Sequence, residues 1–585
     1  MGYIASRFLR SFRDMNFKVA RMKRFRTLAP ILIALSLTVV TFLLTPTIDV
    51  IQLENAWQYP FFYASTLPPI YYLAVVYSAL LALFCTNDYG KLVSLLCVAF
   101  LVELTPSLML VNPWLPDQYP YLAEPVYLTR SSHIAPVHYL HEVPGLGLTF
   151  SQLMLVTDLG AYMISKIYPM LTVLMMVLPT FLVSRELCGN GAIAPLLFIA
   201  VNSAQINTFH RFSLFFMLFS LVLFLIWRRY MEPKTAHSIL CVIVFAAATL
   251  TYPGSIIIPS ILLLAPMVWL ILKKVQVAFL SKGLEHSFPE SIPIYRLGWL
   301  GLISLIIFLS WGIFTSQSEF PRLVGLVYNA FLELTSPEDP LRILTPQHGF
   351  SGAMPTTIFL YILRIRMVSA LALQGLGFLS FIPVLFGREK REVLIHTLYL
   401  PLLISYLLYL PTSLNQWYTV RAVLYAALLA SLCVATIWHP KQSQIIKMAI
   451  IVFTVAGLIL IPVTRYASIP YLHPTTQELN AAAFVHQYYI SNRPVYYTEY
   501  PPYIRVIIGK DPGWEFTQCF LTSEHSFNFN ATSIIMSKRH INRDGYYLFP
   551  KPVNITFNYA TETLSSTHNI VYVNGYTDLF MESDI

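Results

Sequence analysis

Long uninterrupted runs of apolar residues recur along most of this 585-residue chain. A helix of about 20 apolar residues crosses the hydrocarbon core of a bilayer, which is about 30 Å thick. Lipid offers no hydrogen-bond partners to the backbone, and these runs are continuous rather than alternating, so helices are favoured over barrel strands. The runs lie at 28–46, 62–86, 93–113, 166–184, 191–209, 212–229, 236–252, 255–273, 297–315, 367–386, 393–411, 417–438 and 446–464. The pattern predicts an α-helical polytopic membrane protein with about 13 transmembrane helices.

The distribution of Lys and Arg predicts the orientation of these helices. The segment 1–27 precedes the first apolar run and is strongly basic. Its cations are Arg7, Arg10, Arg13, Lys18, Arg21, Lys23, Arg24 and Arg26. Because cytoplasmic segments are enriched in Lys and Arg, we expect 1–27 to be a cytoplasmic tail. An odd number of spans then places the end of the chain outside the cell. The intervening loops agree, because those predicted to be cytoplasmic contain Lys and Arg and those predicted to be external contain few.

Composition supports a membrane location and argues against nucleic acid as a partner. Hydrophobic residues make up 56% of the chain and charged residues only 11%, against roughly 25% charged residues in soluble domains. The net charge is +9, but much of it lies in the N-terminal tail, where it serves topology and contact with lipid headgroups. We therefore expect a multi-pass protein of the plasma membrane that binds the lipid bilayer and no nucleic acid.

The predicted domain organisation has three parts: the tail, a transmembrane domain over 28–465, and an extracellular domain over 466–585. The last segment is rich in Tyr, Asn, Thr and Pro with short alternating patches, which indicates a small C-terminal extracytoplasmic α/β domain. Two long external loops, 114–165 and 316–366, interrupt the transmembrane domain. Loops this long inside a compact helical array usually carry function.

The first external loop holds two candidate carboxylates. Asp117 lies where the third span leaves the membrane, and Glu124 follows seven residues later. A partly buried carboxylate at the rim of a membrane cavity can act as a general base, because burial raises its pKa. The alternative is that Asp117 caps a helix or is simply solvated. The two carboxylates would share a helix face, but Pro120 and Pro125 argue against a helix there.

Four arginines near the predicted outer ends of spans are candidate phosphate ligands: Arg211, Arg364, Arg366 and Arg421. A guanidinium binds phosphate through paired charge-assisted hydrogen bonds and is costly inside a membrane without an anionic partner. The alternative for each is contact with lipid headgroups. The pattern His138-x-x-His141-Glu142 has half of a metal site, but a structural or exposed pair is favoured over a zinc ligand set.

Several short motifs together resemble the GT-C superfamily of integral-membrane glycosyltransferases, particularly its archaeal-type members. They are Asp117-Gln118-Tyr119, Ser132-His133-Ile134, the turn LVSRELCGNGA at 182–192, ELNAAAFVHQYY at 478–489 and NIVYVNGYTDLF at 569–580. The domain 466–585 lacks the Trp-Trp-Asp-Tyr-Gly motif of the oligosaccharyltransferase branch, which counts against oligosaccharide transfer to asparagine.

The resemblance implies transfer of a sugar from a polyprenyl-phosphate donor to an acceptor glycan, lipid or protein at the external membrane face. Asp117 would be the catalytic base or a contact of a divalent cation, Mg²⁺ or Mn²⁺. Arg421 would contact the lipid phosphate, and Glu124, His133 and the remaining arginines would bind substrate. Two other hypotheses stay open: a transporter or flippase of a lipid-linked glycan, and a non-catalytic GT-C-like membrane protein.

Overall fold

The computed structural model describes most of the helical part of the chain and four short segments beyond it. The described ranges are 28–48, 61–112, 118–132, 142–201, 209–280, 294–316, 319–335, 357–382, 390–409, 419–438, 444–464, residue 466, 495–497, 533–537, 568–573 and 577–582. The predicted tail 1–27 and most of the predicted domain 466–585 lie outside these ranges.

The structure is mostly helical. The helices are α1 Leu28–Leu44, α2 Phe62–Thr66, α3 Pro69–Phe84, α4 Asp88–Met109, α5 Gln118–Ser131, α6 Gly145–Thr157, α7 Ala161–Cys188, α8 Ile193–Val201, α9 Arg211–Met231, α10 Thr235–Thr251, α11 Ile257–Leu280, α12 Ile294–Phe314, α13 Glu319–Thr335, α14 Thr357–Leu379, α15 Lys390–Tyr409, α16 Thr419–Ile437 and α17 Gln444–Thr464. Within the described ranges, six helical segments are long and apolar enough to cross a membrane. The protein is therefore a helical, multi-pass membrane protein, and each predicted span overlaps a helix.

Helices α7 and α9 run parallel to each other, and their contacts define the two ends of the bundle. Tyr168 of α7 donates to the carbonyl of His210 just before α9, at 3.4 Å. Further along, Ser220 donates to the carbonyl of Met175 at 3.0 Å. At the far end Trp227 Nε1 donates to Glu186 at 2.6 Å. At 1.5 Å per residue, the 17 residues from 211 to 228 cover about 26 Å, close to the thickness of the hydrocarbon core.

The core near the start of α9 is aromatic. Tyr425 of α16 contacts Phe212 and three further Phe rings of α9, with ring centroids 4.9 to 6.0 Å apart. Arg421 lies one turn before Tyr425 on the same helix, about 6 Å along its axis. The backbone of Arg421 therefore lies within one helical turn of Tyr425, whose ring packs on the first turns of α9.

Between Gln118 and Ser131 the chain is helical, which corrects the expectation that its prolines would prevent a helix. Pro120 lies in the first turn, where a backbone N–H has no partner within the helix, so its ring costs little. Pro125 lies inside the helix. The first predicted loop, 114–165, also contains α6, which ends at Thr157 because Asp158 takes the left-handed conformation, and its residues from Ala161 onward belong to α7.

The second predicted loop, 316–366, is not a loop throughout. It contains the 17-residue helix α13, and its last ten residues begin α14. Arg364 and Arg366 therefore lie in a helix rather than beside one. The reason is that α13 carries apolar residues at every third or fourth position instead of in one run, which is typical of a surface helix and not of a membrane span.

Four strands form one sheet in the C-terminal segment: β1 Val495–Tyr497, β2 Ser533–Ser537, β3 His568–Val573 and β4 Thr577–Glu582. The order is β1-β2-β4-β3, with β1 parallel to β2 and the other pairs antiparallel. The alternating patches at 495–497 and 570–573 are thus strands. The helices expected in an α/β domain fall outside the described residues, so that assignment stays a prediction.

Candidate functional site

Glu124 is completely buried in the middle of α5. Its side chain lies directly over the backbone of Gly147 in α6. A Cβ atom on Gly147 would be 2.5 Å from Cγ of Glu124 and 2.7 Å from its Oε1, closer than nonbonded atoms approach. The glycine therefore creates the space that the carboxylate occupies, and α5 and α6 pack closely at this point.

Arg211 is the first residue of α9 and is 4% exposed. Its Nη2 atom is 3.8 Å from Oε1 of Glu124, which makes a buried ion pair at the outer limit of distance. The guanidinium carbon also lies 5.4 Å from the centre of the Tyr121 ring. Tyr121 and Glu124 are three residues apart on α5, so one helix face presents both a ring and a carboxylate to Arg211.

The turn that begins α9 is tied to α5 by a hydrogen bond. The backbone N–H of Phe209 donates to Oε1 of Gln118 at 3.2 Å. His210 caps α9 by accepting a hydrogen bond at Nδ1 from the N–H of Phe212, at 2.9 Å. The helix N-terminus carries partial positive charge, so a guanidinium at its first residue is disfavoured unless an anion is near. Glu124 is one such anion, and the arrangement favours another.

The carboxylate of Glu124 has unused hydrogen-bonding capacity. Neither of its oxygens has a hydrogen-bond donor within the described part of the chain, although an ionised carboxylate can accept about four bonds. Burial raises the pKa of Glu124 to about 7, and the charge of Arg211 opposes that rise. Near neutral pH the group therefore exchanges between an acid and an anion, and either form can bond to hydroxyl groups.

The two predicted external loops contact each other close to this pair. Glu142 is buried, and its Oε2 accepts a hydrogen bond from Ser316 at 2.9 Å. The indole N–H of Trp311 donates to the carbonyl of Glu142 at 3.0 Å. The end of α12 is thus fixed to the segment that leads into α6, three residues before the helix that carries Gly147.

The structure brings together two of the residues predicted from sequence, Glu124 and Arg211. Asp117 and His133 lie outside the described residues, so their position relative to Glu124 and Arg211 stays a prediction. For the remaining arginines, the backbone of Arg364 and Arg366 in α14 and of Arg421 in α16 is described, but not their side chains. The predicted convergence of Asp117 and Arg421 on one pocket therefore stays a prediction.

Two members of the site were not predicted, Tyr121 and Gly147. The signal for Tyr121 was its spacing of three residues before Glu124, which matters only once 118–131 is known to be helical. Gly147 offered no signal, since Gly145 lies only two residues before it.

The described residues do not make a divalent-cation site. No group of three or more His, Cys, Asp and Glu side chains occurs in the described ranges. Glu124 could supply one ligand, but the guanidinium of Arg211 would repel a cation there. In the His138-x-x-His141-Glu142 pattern the carboxylate bonds to Ser316, and both histidines lie outside the described ranges. Dependence on Mg²⁺ or Mn²⁺ remains an expectation from the sequence.

Comparison with known proteins gives similarity in structure only. No family model and no curated protein matches the chain. ArnT from Cupriavidus metallidurans bound to undecaprenyl phosphate is similar with a TM-score of 0.46 and 12% identity, over 84% of this chain and 98% of ArnT. The Archaeoglobus fulgidus oligosaccharyltransferase tethered with an acceptor peptide is similar with a TM-score of 0.44 and 11% identity, over 91% of this chain and 75% of that one. These values describe a likeness in chain course only.

Proposed function

We propose that this protein is a glycosyltransferase that moves a sugar from a polyprenyl-phosphate-linked donor to an acceptor at the external membrane face. The observation that carries the proposal is the buried pair of Glu124 and Arg211. The pair lies at the end of the bundle where both long loops meet, and its carboxylate oxygens have no hydrogen-bond donors within the described ranges. Such a site suits a ligand with both hydroxyl groups and negative charge.

A sugar phosphate has this combination of groups. Its hydroxyls would donate to the oxygens of Glu124, and its phosphate would face Arg211 and the positive N-terminus of α9. During transfer the bond between the anomeric carbon and the phosphate oxygen breaks, and negative charge grows on the departing lipid phosphate. Cationic groups already in place stabilise that charge without reorganising. Arg421 is the second proposed phosphate contact, with Arg364 and Arg366 as further candidates.

Asp117 is the proposed base. It would remove the proton from an acceptor hydroxyl while that oxygen bonds to the anomeric carbon from the face opposite the leaving phosphate. This single displacement inverts the configuration at that carbon. His133 is proposed to contact the substrate in the same loop.

The test is a transfer assay with purified protein in nanodiscs and a panel of labelled polyprenyl-phosphate sugars. Glu124→Gln keeps the shape of the side chain but removes its charge, and we expect at least a roughly 100-fold fall in transfer, similar to the loss of one transition-state hydrogen bond. Glu186→Gln is the matched control. Glu186 lies beside Trp227 and Arg228, at the end of the bundle away from Glu124, and the rate of sugar transfer by this variant should stay within about twofold of wild type.

Three outcomes would contradict the proposal. Wild-type rates in Glu124→Gln would remove the pair from the site, and wild-type rates in Asp117→Ala would remove the base. In proteoliposomes, movement of labelled lipid across the bilayer without any covalent product would instead support a transporter or flippase.

A further inference from the structure

Helix α13 carries an apolar stripe that faces away from the helical bundle. Val324, Val327, Tyr328 and Phe331 follow one another at spacings of three, one and three residues, so they share one helix face. Each of them is between 47% and 61% exposed. Arg322 and Asn329 are seven residues apart and lie on the opposite face.

The first turns of α13 are packed on α12, which fixes where the helix begins. Phe320 lies against Gly312, where a Cβ would be 2.3 Å from its ring, and its ring centroid is 6.1 Å from that of Phe308. Leu323 is buried beside it. Ser316 accepts a hydrogen bond from the N–H of Phe320 at 3.0 Å. The exposed stripe therefore starts one turn after a well-packed anchor.

The stripe lies close along the chain to a helix with exposed apolar residues and the length of a membrane span. Helix α12 is one of the segments long and apolar enough to cross a membrane, and Ile306, Ile313 and Phe314 on it are exposed. Phe314 is the last residue of α12, and α13 begins five residues later. A helix that leaves the end of a span with an apolar face and an opposite polar face is suited to the boundary between headgroups and acyl chains.

We infer that α13 lies in the bilayer surface, with the stripe Val324, Val327, Tyr328 and Phe331 against lipid and Arg322 and Asn329 toward water. The partner is the lipid leaflet at the end of the bundle that contains Glu124. Because Ser316 also donates to Glu142, this helix holds the junction of the two long loops at the depth of the lipid headgroups. The inference does not depend on the proposed reaction.

The test is photocrosslinking of the full chain in phosphatidylcholine nanodiscs, with benzoylphenylalanine in place of Tyr328. The matched control places it at Asn329, the next residue and also exposed, and a positive control places it at Phe314. After irradiation, mass spectrometry of the peptide from α13 should show a lipid adduct at 328, at least about fivefold more abundant than at 329.

The contrary results are distinct. No lipid adduct at 328 while Phe314 gives one, or equal adducts at 328 and 329, would overturn the inference. A crosslink from 328 to residues 466–585 or to a second copy of the chain would also overturn it, and would identify the stripe as a protein contact.

Discussion

The two arginines near the ends of α9, Arg211 and Arg228, are in opposite situations. Arg228 lies in the last turn, where a cation suits the helix dipole, and it forms close contacts of 3.1 Å with Glu186 and 2.6 Å with Glu232. Arg211 lies in the first turn, where a cation is disfavoured, and its ion-pair distance to Glu124 is 3.8 Å. The ion pairs of Arg228 are partly exposed, and the pair of Arg211 with Glu124 is buried.

The acids paired with these arginines differ in the same way. Glu232 accepts a hydrogen bond from Lys234, and this bond lowers the pKa of its carboxyl group. Burial instead raises the pKa of Glu124, because no donor in the described ranges compensates for the loss of water. An ion pair that is satisfied at the surface serves topology and folding. A buried pair whose carboxylate has no donor in the described ranges indicates a site arranged for a ligand.

The sharpest test of this comparison is Arg211→Leu against Arg228→Leu. Removing Arg211 leaves the Glu124 carboxylate buried without a cation, so above pH 7 we expect a loss of about 3–5 kcal/mol in the free energy of unfolding. Removing Arg228 should cost about 1 kcal/mol, because its partners reach water. Equilibrium unfolding in mixed detergent micelles at pH 8 measures both. Equal losses of unfolding free energy would show that the ion pairs at the two ends of α9 contribute equally to stability.

The second test is the pH dependence of stability. The folded-state pKa of Glu124 is about 7, above its ordinary value of 4.5, so the folded protein holds a proton that the unfolded chain releases. The resulting stabilisation is complete below pH 4.5 and is lost as pH rises to about 7, by an amount on the order of 3 kcal/mol. Melting temperatures of wild type and Glu124→Gln should therefore converge or cross over this range. A constant difference between them from pH 4.5 to 8 would contradict the raised pKa.

The third test concerns the contact between α5 and α6. In Gly147→Ala the new methyl group meets the Glu124 side chain at 2.5 Å, so helix or carboxylate must move at a cost of about 1–3 kcal/mol. Gly160→Ala is the control, since a Cβ there meets nothing within 4 Å. A fall in melting temperature confined to Gly147→Ala is expected. If both variants have the melting temperature of wild type, the close contact between Gly147 and Glu124 is contradicted.

The sequence predicted a helix at each apolar run because lipid imposes a simple rule, that long apolar runs are helices, while the number of membrane spans stays a prediction. It marked Glu124 and Arg211 separately, but could not pair them, since their contact depends on a helix at 118–131 that contains two prolines. It missed α13, because a search for membrane-length runs overlooks an amphipathic helix with apolar residues at every third or fourth position. The site depends on these short irregular elements, and local sequence determines them less strongly than the spans.

The smallest expected effect is at the partly exposed ion pairs of Asp88. Asp88 is 3.6 Å from Lys91 and 3.7 Å from Arg185, and its side chain is 46% exposed. Asp88→Asn should change the free energy of unfolding by no more than about 0.5 kcal/mol, and roughly 0.5 M NaCl should abolish the change by screening these charges. The loss from Arg211→Leu should persist at that salt concentration, because water and ions do not reach its buried partner. Unfolding titrations at low and high salt measure both, and a salt-sensitive Arg211→Leu would show that Glu124 is solvated after all.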